Sequence, residues 1–385
     1  MRVLFTCVVG YGHFHPMVPL ARALQAAGHE VDFASDPSFS PYVASLGFTA
    51  HPAGLNQDDA LARYIAMDPG MRELPAAERI RSWFPGIFAH VRVPLMLNDL
   101  RPILEQGKTD LLIHGSMDMA GAIAAEAAGI AHAEHSFGVL RPTDLVSRCL
   151  EVLAPISRGA GVDNPGVCGT GGELYIAFCP PAMEDPDIAL VPNVQLLRPI
   201  GFDASPGALL PAWVRELPPR PTVYVTLGTV FNEAVHIFSA ILEGLGDADI
   251  NVIVTIGKSG DPHALGPLPA NVHVENYIPQ SLLLPHCDLV IGHGGSGTML
   301  GAVGAGLPQL AIPQAADQFI NAAAIVRAGV GLALTPTEFD ARAVQDCTNK
   351  LLGDHSFAEA ARRVSAEIAS MPTPEEVVPV LERLV

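Results

Sequence analysis

The chain has 385 residues, with 22 basic against 40 acidic side chains, a formal net charge of −18, and 49% hydrophobic residues. That length suits two domains with a core each, and the apolar content excludes disorder over most of it. Mean hydropathy is high at +0.31, yet no stretch approaches the roughly 18 uninterrupted apolar residues of a spanning helix, and without a cluster of Lys and Arg the acidic balance excludes a binder of bare nucleic acid.

The opening MRVLFTCVVG has the basic residue and apolar run of a secretion signal, but the run stops at Tyr11-Gly12-His13 with no small-residue cleavage site. It reads as a buried first strand, Val3 to Val8, and a cytoplasmic protein is expected. Cys7, Cys149, Cys168, Cys179, Cys287 and Cys347 are scattered without a CxxC pair, which predicts buried thiols rather than disulfides or a zinc site.

Short apolar runs then alternate with helical patterns, the mark of parallel sheets covered on both faces. A helix is expected over Met17 to Ala27, ending at Gly28, and another over Asp118 to Ala128, closed by Gly129. Strands are expected at Glu30 to Ala34, Asp110 to His114 and Ile130 to Glu134. The stretch from Gly54 to Pro102 is mixed, with Trp83, Phe84 and Phe88 among prolines and methionines. It reads either as a wall over an apolar ligand or as a satellite core. Residues 156–187 read as loop. Leu217 to Pro221 is a Pro-rich joint, either a linker or the lead-in to a second sheet. Beyond it the alternation restarts, with strands at Thr222 to Leu227, Asn251 to Ile256, Val272 to Glu275, Asp288 to Ile291, Gln309 to Ile312 and Gly331 to Leu334. Helices run over Glu233 to Leu245 and from Ser296, Ala316 and Ala341. The fold class expected is α/β, two Rossmann-like domains facing a cleft, with ligands at the strand C-terminal ends.

One segment carries a clear chemical signal. Gly292-His293-Gly294-Gly295-Ser296-Gly297-Thr298 follows a strand and opens a helix. Unpaired N–H groups and the positive end of the helix dipole converge at such a turn, and glycines let a phosphate approach the backbone. Ser296 and Thr298 add hydroxyls and His293 an imidazole. Residues 292–297 also fit GxGxxG, with Asp317 about 20 residues on, the dinucleotide fingerprint. Against that reading, the motif sits on a late strand and Asp317-Gln318 after Pro313 reads as a helix start. Asp247-Ala248-Asp249 lies between a helix end and a strand start, so it reads as a solvated loop rather than a metal-binding DxD.

Residues 273–318 resemble the donor-binding signature of the family 1 nucleotide-sugar glycosyltransferases, in particular bacterial enzymes that decorate antibiotics. The resemblance is carried by Asn276-Tyr277-Ile278-Pro279-Gln280, Leu283 to Asp288, His293 to Thr298, Gly306-Leu307-Pro308-Gln309 and Asp317-Gln318, in that order. It extends weakly over the rest, through Gly12-His13-Phe14-His15-Pro16. It implies the GT-B fold: an acceptor-binding domain over residues 1–205, a nucleotide-sugar domain over 206–371, and a closing helix, 372–385, packed back on the first. By the same resemblance Tyr277 stacks on the base and the Ile278 backbone bonds its edge. His293, Gly295, Ser296, Gly297 and Thr298 hold the diphosphate with Thr229, and Asp317 and Gln318 hold the sugar. Gly301 stands where relatives that use UDP have a ribose-gripping Glu, which favours a dTDP-sugar donor over a UDP-sugar.

His13, on a glycine turn after the first strand, suits a general base, since its unperturbed pKa of about 6.5 lets it accept a proton near neutrality. The resemblance gives it that role, with inversion at the anomeric carbon. Asp118 is the candidate carboxylate to orient it, with an N-cap as the ordinary alternative. His15, Trp83 and Phe84 are assigned to the acceptor pocket. The expected partners are a nucleotide sugar and a small hydrophobic acceptor, with no cofactor, no metal, no nucleic acid and no membrane span; a homodimer is left open. The alternatives are a nucleotide-sugar epimerase of the same fold, an inactive auxiliary partner of a transferase, and a nicotinamide-dependent oxidoreductase.

Overall fold

The computed structural model describes residues 1–74, 82–203, 208–228, 235–258 and 260–385. The chain forms two compact units. Met1–Cys179, Glu184–Arg198 and Pro372–Val385 make the first, and Pro180–Met183 with Pro199–Met371 the second.

In the first unit, β1 (Arg2–Thr6), β2 (Glu30–Ser35), β3 (Thr49–Pro52), β4 (Leu111–Gly115), β5 (Ala131–His135), β6 (Leu174–Ala177) and β7 (Val194–Leu196) form one sheet in the order β3-β2-β1-β4-β5-β6-β7. Every pairing is parallel. The central strands are apolar and buried along their length, as they must be when both faces are covered. Strand order reverses between β1 and β4, so the crevice expected of such a sheet opens at their C-terminal ends.

Two stretches differ from the sequence reading. Residues 54–102 are mostly helical: Gln57–Met67, then a nine-residue π-helix, Phe84–Arg92, running into an α-helix, Val93–Gly107. Pro85 and Pro94 stand in the first turns of the π and α segments of one continuous helical run, and Pro102 lies inside the second helix, which continues through it to Gly107. Those prolines, and the wider π turns, mask the 3.6-residue period. The expected loop over 156–187 gives way at both ends. The helix Thr143–Gly159 continues through Pro155, and β6 sits among the glycines beyond it.

The closing helix Pro374–Glu382 starts with a capping box, in which the Thr373 hydroxyl accepts from the Glu376 N–H and the Glu376 carboxylate accepts from the Thr373 N–H. It packs on the helix Val18–Ala26 within the first unit. His29 Nε2 lies 3.0 Å from Glu382.

The second unit repeats the plan with β8 (Thr222–Thr226), β9 (Asn251–Thr255), β10 (Val272–Glu275), β11 (Leu289–Gly292), β12 (Gln309–Ala311) and β13 (Gly331–Ala333), in the order β10-β9-β8-β11-β12-β13. Leu217 to Pro221 is the lead-in to β8 inside this unit. Alternation along β8 divides the core. Val223 and Val225 pack with Ile237 and Ile241 on one face, and Tyr224 packs with Ile278 and Leu284 on the other. Burying each such aliphatic chain contributes about 1.5–3 kcal/mol. All six cysteines are free thiols, and only Cys347 is not fully buried.

Candidate active site

In the second unit the sheet order reverses between β8 and β11, and the loops leaving these strands meet. His293 follows β11, and its ring lies between two glycines. A Cβ on Gly228 would stand 2.6 Å from its Cε1, and one on Gly295 would stand 2.7 Å from the same atom. Gly228 also has φ +76°, a conformation that side chains rarely adopt. Burial pushes the imidazole down to about 4, with Asp317 and the Thr226 backbone pulling the other way. The ring is therefore neutral at physiological pH. Its Nδ1 is buried without a hydrogen bond among the described residues.

The helix Ser296–Gly304 starts at Gly295 with no side-chain cap and no acidic residue in its first turn. Its first N–H groups have neither an intrahelical partner nor a capping oxygen, the condition for an anion site. Of the two hydroxyls, Ser296 Oγ donates to Asp317 Oδ2 at 3.1 Å, whereas Thr298 Oγ1 accepts from Gln280 Nε2 at 3.1 Å and keeps its own proton to donate. Gly297 is exposed, and a Cβ there would meet nothing within 4 Å.

Asn321 was not anticipated from the sequence. It is fully buried, and its amide donates to the Gly294 carbonyl at 2.8 Å, to Ser296 Oγ at 3.0 Å and to Asp317 Oδ2 at 3.1 Å. One side chain thus ties the glycine turn to Asp317. The signal available in the sequence was its place four residues after Asp317, on the same helix face. Gln318, 2% exposed, turns its Oε1 back to accept the N–H groups of Gln314 and Ala315. It fixes the loop in which Ala316 holds φ +54°, and only its amide NH₂ remains for a ligand.

Tyr277 is 39% exposed, and its hydroxyl donates to the Asp203 carbonyl. Lys258 Nζ lies 4.9 Å from the ring centroid. The Ile278 side chain is buried in the apolar cluster below the sheet, which anchors its backbone, and neither backbone group of Ile278 is hydrogen-bonded among the described residues. Thr229 lies outside the described residues.

In the first unit, the chain leaves β1 through Gly10, at φ +134°, into the short helix Tyr11–Phe14. The N–H groups of His13 and Phe14 both donate to the Gly10 carbonyl at 3.1 Å. The half-buried His13 ring meets Phe137 at 4.6 Å between centroids and 78° between planes. His15 Nε2 is 2.8 Å from the Tyr42 hydroxyl, within an aromatic group that includes Tyr11 and Phe14. This bond is why His15 has a fixed orientation.

Asp118 stands at the start of the helix Met119–Ala128, 4% exposed. Burial raises it to about 6, opposed by the Thr6 hydroxyl, the N–H groups of Gly121 and Ala120, and Arg92. Asp118 also borders a small cavity with Asp36 and Arg92. Trp83 and Phe84, assigned to the acceptor pocket, flank the start of the π-helix. Phe84, 8% exposed, belongs to the main core, and Trp83 packs in a satellite cluster with Tyr64, Ile87 and Val91. A side chain spent on core contacts shapes a pocket only from behind.

Residues 22–228 match the N-terminal domain, and residues 239–384 the C-terminal domain, of the family described as erythromycin biosynthesis protein CIII-like. The chain is 34% identical over 385 residues to the L-demethylnoviosyl transferase of Streptomyces niveus, covering 98% of this chain and 96% of that protein. The solved structure of glycosyltransferase VinC in complex with dTDP aligns with a TM-score of 0.81 at 27% identity, over 100% of this chain and 99% of that one. Spinosyn rhamnosyltransferase SpnG complexed with spinosyn aglycone does so at 0.81 and 27%, over 99% and 100%. The two parallel-sheet units and these likenesses establish that the chain belongs to the erythromycin biosynthesis protein CIII-like family and is a glycosyltransferase of the GT-B fold.

Proposed function

We propose that the protein transfers a deoxy sugar, with inversion, from a dTDP-sugar to a hydrophobic aglycone, with His13 as the general base. The observation that carries the donor half is the uncapped helix start at Gly295 to Thr298 beside the neutral His293. A diphosphate there receives backbone N–H groups and the helix dipole. Negative charge grows on the diphosphate as the glycosidic bond breaks, so fixed donors favour the transition state over the ground state. These groups supply that stabilisation without a metal ion or a further cofactor.

The exposed Tyr277 ring offers a stacking face for the base, and the unpaired backbone of Ile278 its edge contacts. Asp317, anchored through Oδ2 by Ser296 and Asn321, presents its other oxygen to sugar hydroxyls. Thr229 is retained in this reading as a phosphate contact. The dTDP seen with VinC and the aglycone seen with SpnG support the two substrate classes, and Gly301 supports dTDP over UDP.

In the reaction the acceptor's nucleophilic group attacks the anomeric carbon from the face opposite the diphosphate. The new bond to carbon forms as the bond to the phosphate oxygen breaks. The acceptor proton passes to His13, and dTDP leaves. His15 belongs to the acceptor side of this site.

The test is calorimetric titration with dTDP, UDP and NAD, followed by incubation with dTDP-L-rhamnose and a panel of aglycones that includes the spinosyn aglycone, with products read by mass and anomeric coupling. Tight dTDP binding and an inverted glycoside are expected. Wild-type turnover by His13→Ala with dTDP binding unchanged would remove the base, and binding of NAD alone would remove the donor site.

A further inference from the structure

The donor half of the mechanism uses no cationic side chain, since His293 is neutral and the turn at Gly295 offers N–H groups. One cation nevertheless stands on the right edge of the second sheet. The sequence between each strand of that unit and the helix after it comprises residues 227–234, 256–261, 276–279, 293–295, 312–317 and 334–340. Lys258 is the one Lys or Arg in these segments, against the carboxylates of Glu233, Asp261, Asp317, Glu338 and Asp340. They leave the C-terminal ends of the strands, the edge where a sheet of this kind takes its ligand. In a chain of net charge −18, a diphosphate approaching that edge meets repulsion that fixed dipoles only partly offset.

Lys258 is exposed, and its ammonium rests over the Tyr277 ring. Its backbone is fixed. Gly257, at φ +85°, opens a turn that closes where the Gly260 N–H donates to the Gly257 carbonyl at 3.0 Å. Asn276, the neighbour of Tyr277, donates through Nδ2 to the carbonyls of Gly257 at 3.2 Å and Gly260 at 2.6 Å. One amide thus ties the loop after β9 to the loop after β10. The strand order β10-β9-β8-β11 sets Lys258 between Tyr277, which follows β10, and the glycine turn that follows β11. A nucleotide with its base at Tyr277 and its phosphates at Gly295 to Thr298 crosses three strand spacings, about 14 Å, and passes the end of β9 on the way.

We propose that Lys258 binds the diphosphate of the donor, its ammonium leaving the face of the Tyr277 ring to the base. The inference rests on the reading of Tyr277 and Gly295 to Thr298 as the nucleotide site. A cation over a ring at an exposed position gains little, so a stacking base displaces it at small cost. A charge-assisted hydrogen bond to a phosphate oxygen is the stronger contact, and the flexible four-carbon stem lets the ammonium move from one to the other while the loop stays still. One residue then serves both ends of the nucleotide. It gives up the ring to the base and answers the charge of the phosphates.

The experiment compares Lys258→Met, which keeps the stem and removes the charge, and Lys258→Arg, which keeps the charge, with the wild-type protein. An exposed side chain is changed, so thermal unfolding should match the wild type in both. Calorimetric titration with dTDP should show Lys258→Met weakened about tenfold, the worth of one charge-assisted hydrogen bond, and Lys258→Arg weakened by no more than about threefold. Thymidine, which has the base without the phosphates, is followed by saturation-transfer NMR and should bind Lys258→Met as well as the wild type or better. Between about 50 and 300 mM NaCl the dTDP affinity of Lys258→Met should fall less than that of the wild type, because one screened contact is gone. A dTDP affinity of Lys258→Met within twofold of wild type, or a salt dependence equal to it, overturns the proposal. Equal losses for dTDP and thymidine also overturn it, as they mark damage to the base contact and not a lost phosphate contact. Failure of the wild-type protein itself to bind dTDP removes the donor site, an outcome distinct from these.

Discussion

The Cε1 of His293 lies where a Cβ on Gly228 would come within 2.6 Å of it. The glycine after β8 is thus the wall of the histidine after β11, and the two loops at the strand-order reversal are built as one piece. Gly228→Ala should displace the ring and also strain a backbone at φ +76°, costing about 1–3 kcal/mol of stability and weakening dTDP. Gly297→Ala is the informative contrast. A methyl there meets nothing in the protein and improves helix propensity, so the melting temperature should hold or rise. If a phosphate packs on that turn, the methyl lowers dTDP affinity by tenfold or more in a calorimetric titration. Unchanged affinity would mean that the diphosphate binds elsewhere.

Asn321 is the second point to test. Asn321→Ala removes an amide that serves Gly294, Ser296 and Asp317 and leaves their oxygens under-bonded in a buried place. Loss of about 1–3 kcal/mol is expected in urea unfolding, with a raised KM for the donor sugar. Asn321→Asp should be worse than Asn321→Ala, because it sets a second carboxylate against Asp317. An Asn321→Asp variant as stable as the wild type would show that the Asn321 amide N–H groups do not carry these contacts.

How much of this was legible in the sequence depended on the period of each segment. The glycine turn at 292–298 was plain because its residue types answer to one geometry. So were the buried central strands, since an apolar run bounded by turns has few other uses. The π-helix Phe84–Arg92 was not, because its turns do not follow the 3.6-residue repeat and prolines punctuate it. The partners of Asp118 and Ser296 were hidden for a different reason. Arg92 reaches Asp118, and Asn321 reaches Ser296, only through tertiary packing, which no local spacing records.

Acid stability should depend on the buried imidazoles. Burial lowers His135 to about 4, the backbone carbonyl of Ser136 resisting the shift, and His293 behaves alike. In the unfolded chain both titrate near 6.5, so between pH 6.5 and 4 the unfolded state holds protons that the native state does not. Native stability therefore falls as the pH drops through that window. Glu134 works in the opposite sense. Burial raises it to about 7, so its contribution is full below its unfolded value near 4.5 and is lost as the pH rises toward 7. His135→Phe keeps the ring volume beside Phe178 and removes one titrating group. Its stability should decline less than that of the wild type from pH 7 to pH 4.5, by about 1.4 kcal/mol for each pH unit of the window. Parallel urea-midpoint curves for the two proteins would show that His135 is not neutral in the native state.

Choice of nucleotide turns on one missing side chain. Gly301 lies on the helix Ser296–Gly304, where a Cβ would meet only Leu284 Cδ1 at 3.4 Å and Gln280 Oε1 at 3.6 Å. Both are ordinary contacts, so a larger residue fits without moving backbone. Gly301→Glu restores a carboxylate that can accept from a ribose 2′-hydroxyl, a group dTDP lacks. It should raise UDP affinity relative to dTDP by about tenfold, the worth of one charge-assisted hydrogen bond, and it should leave the melting temperature unchanged or higher, since glycine is the poorer helix former. The nearby Gln280 amide, which donates to Thr298, stays in place in that variant and controls for a general distortion of the turn. Competition titrations of both nucleotides against wild type and variant decide the matter. An unaltered UDP-to-dTDP ratio would place the ribose away from residue 301 and leave the preference for dTDP to the base contacts around Tyr277 and Ile278.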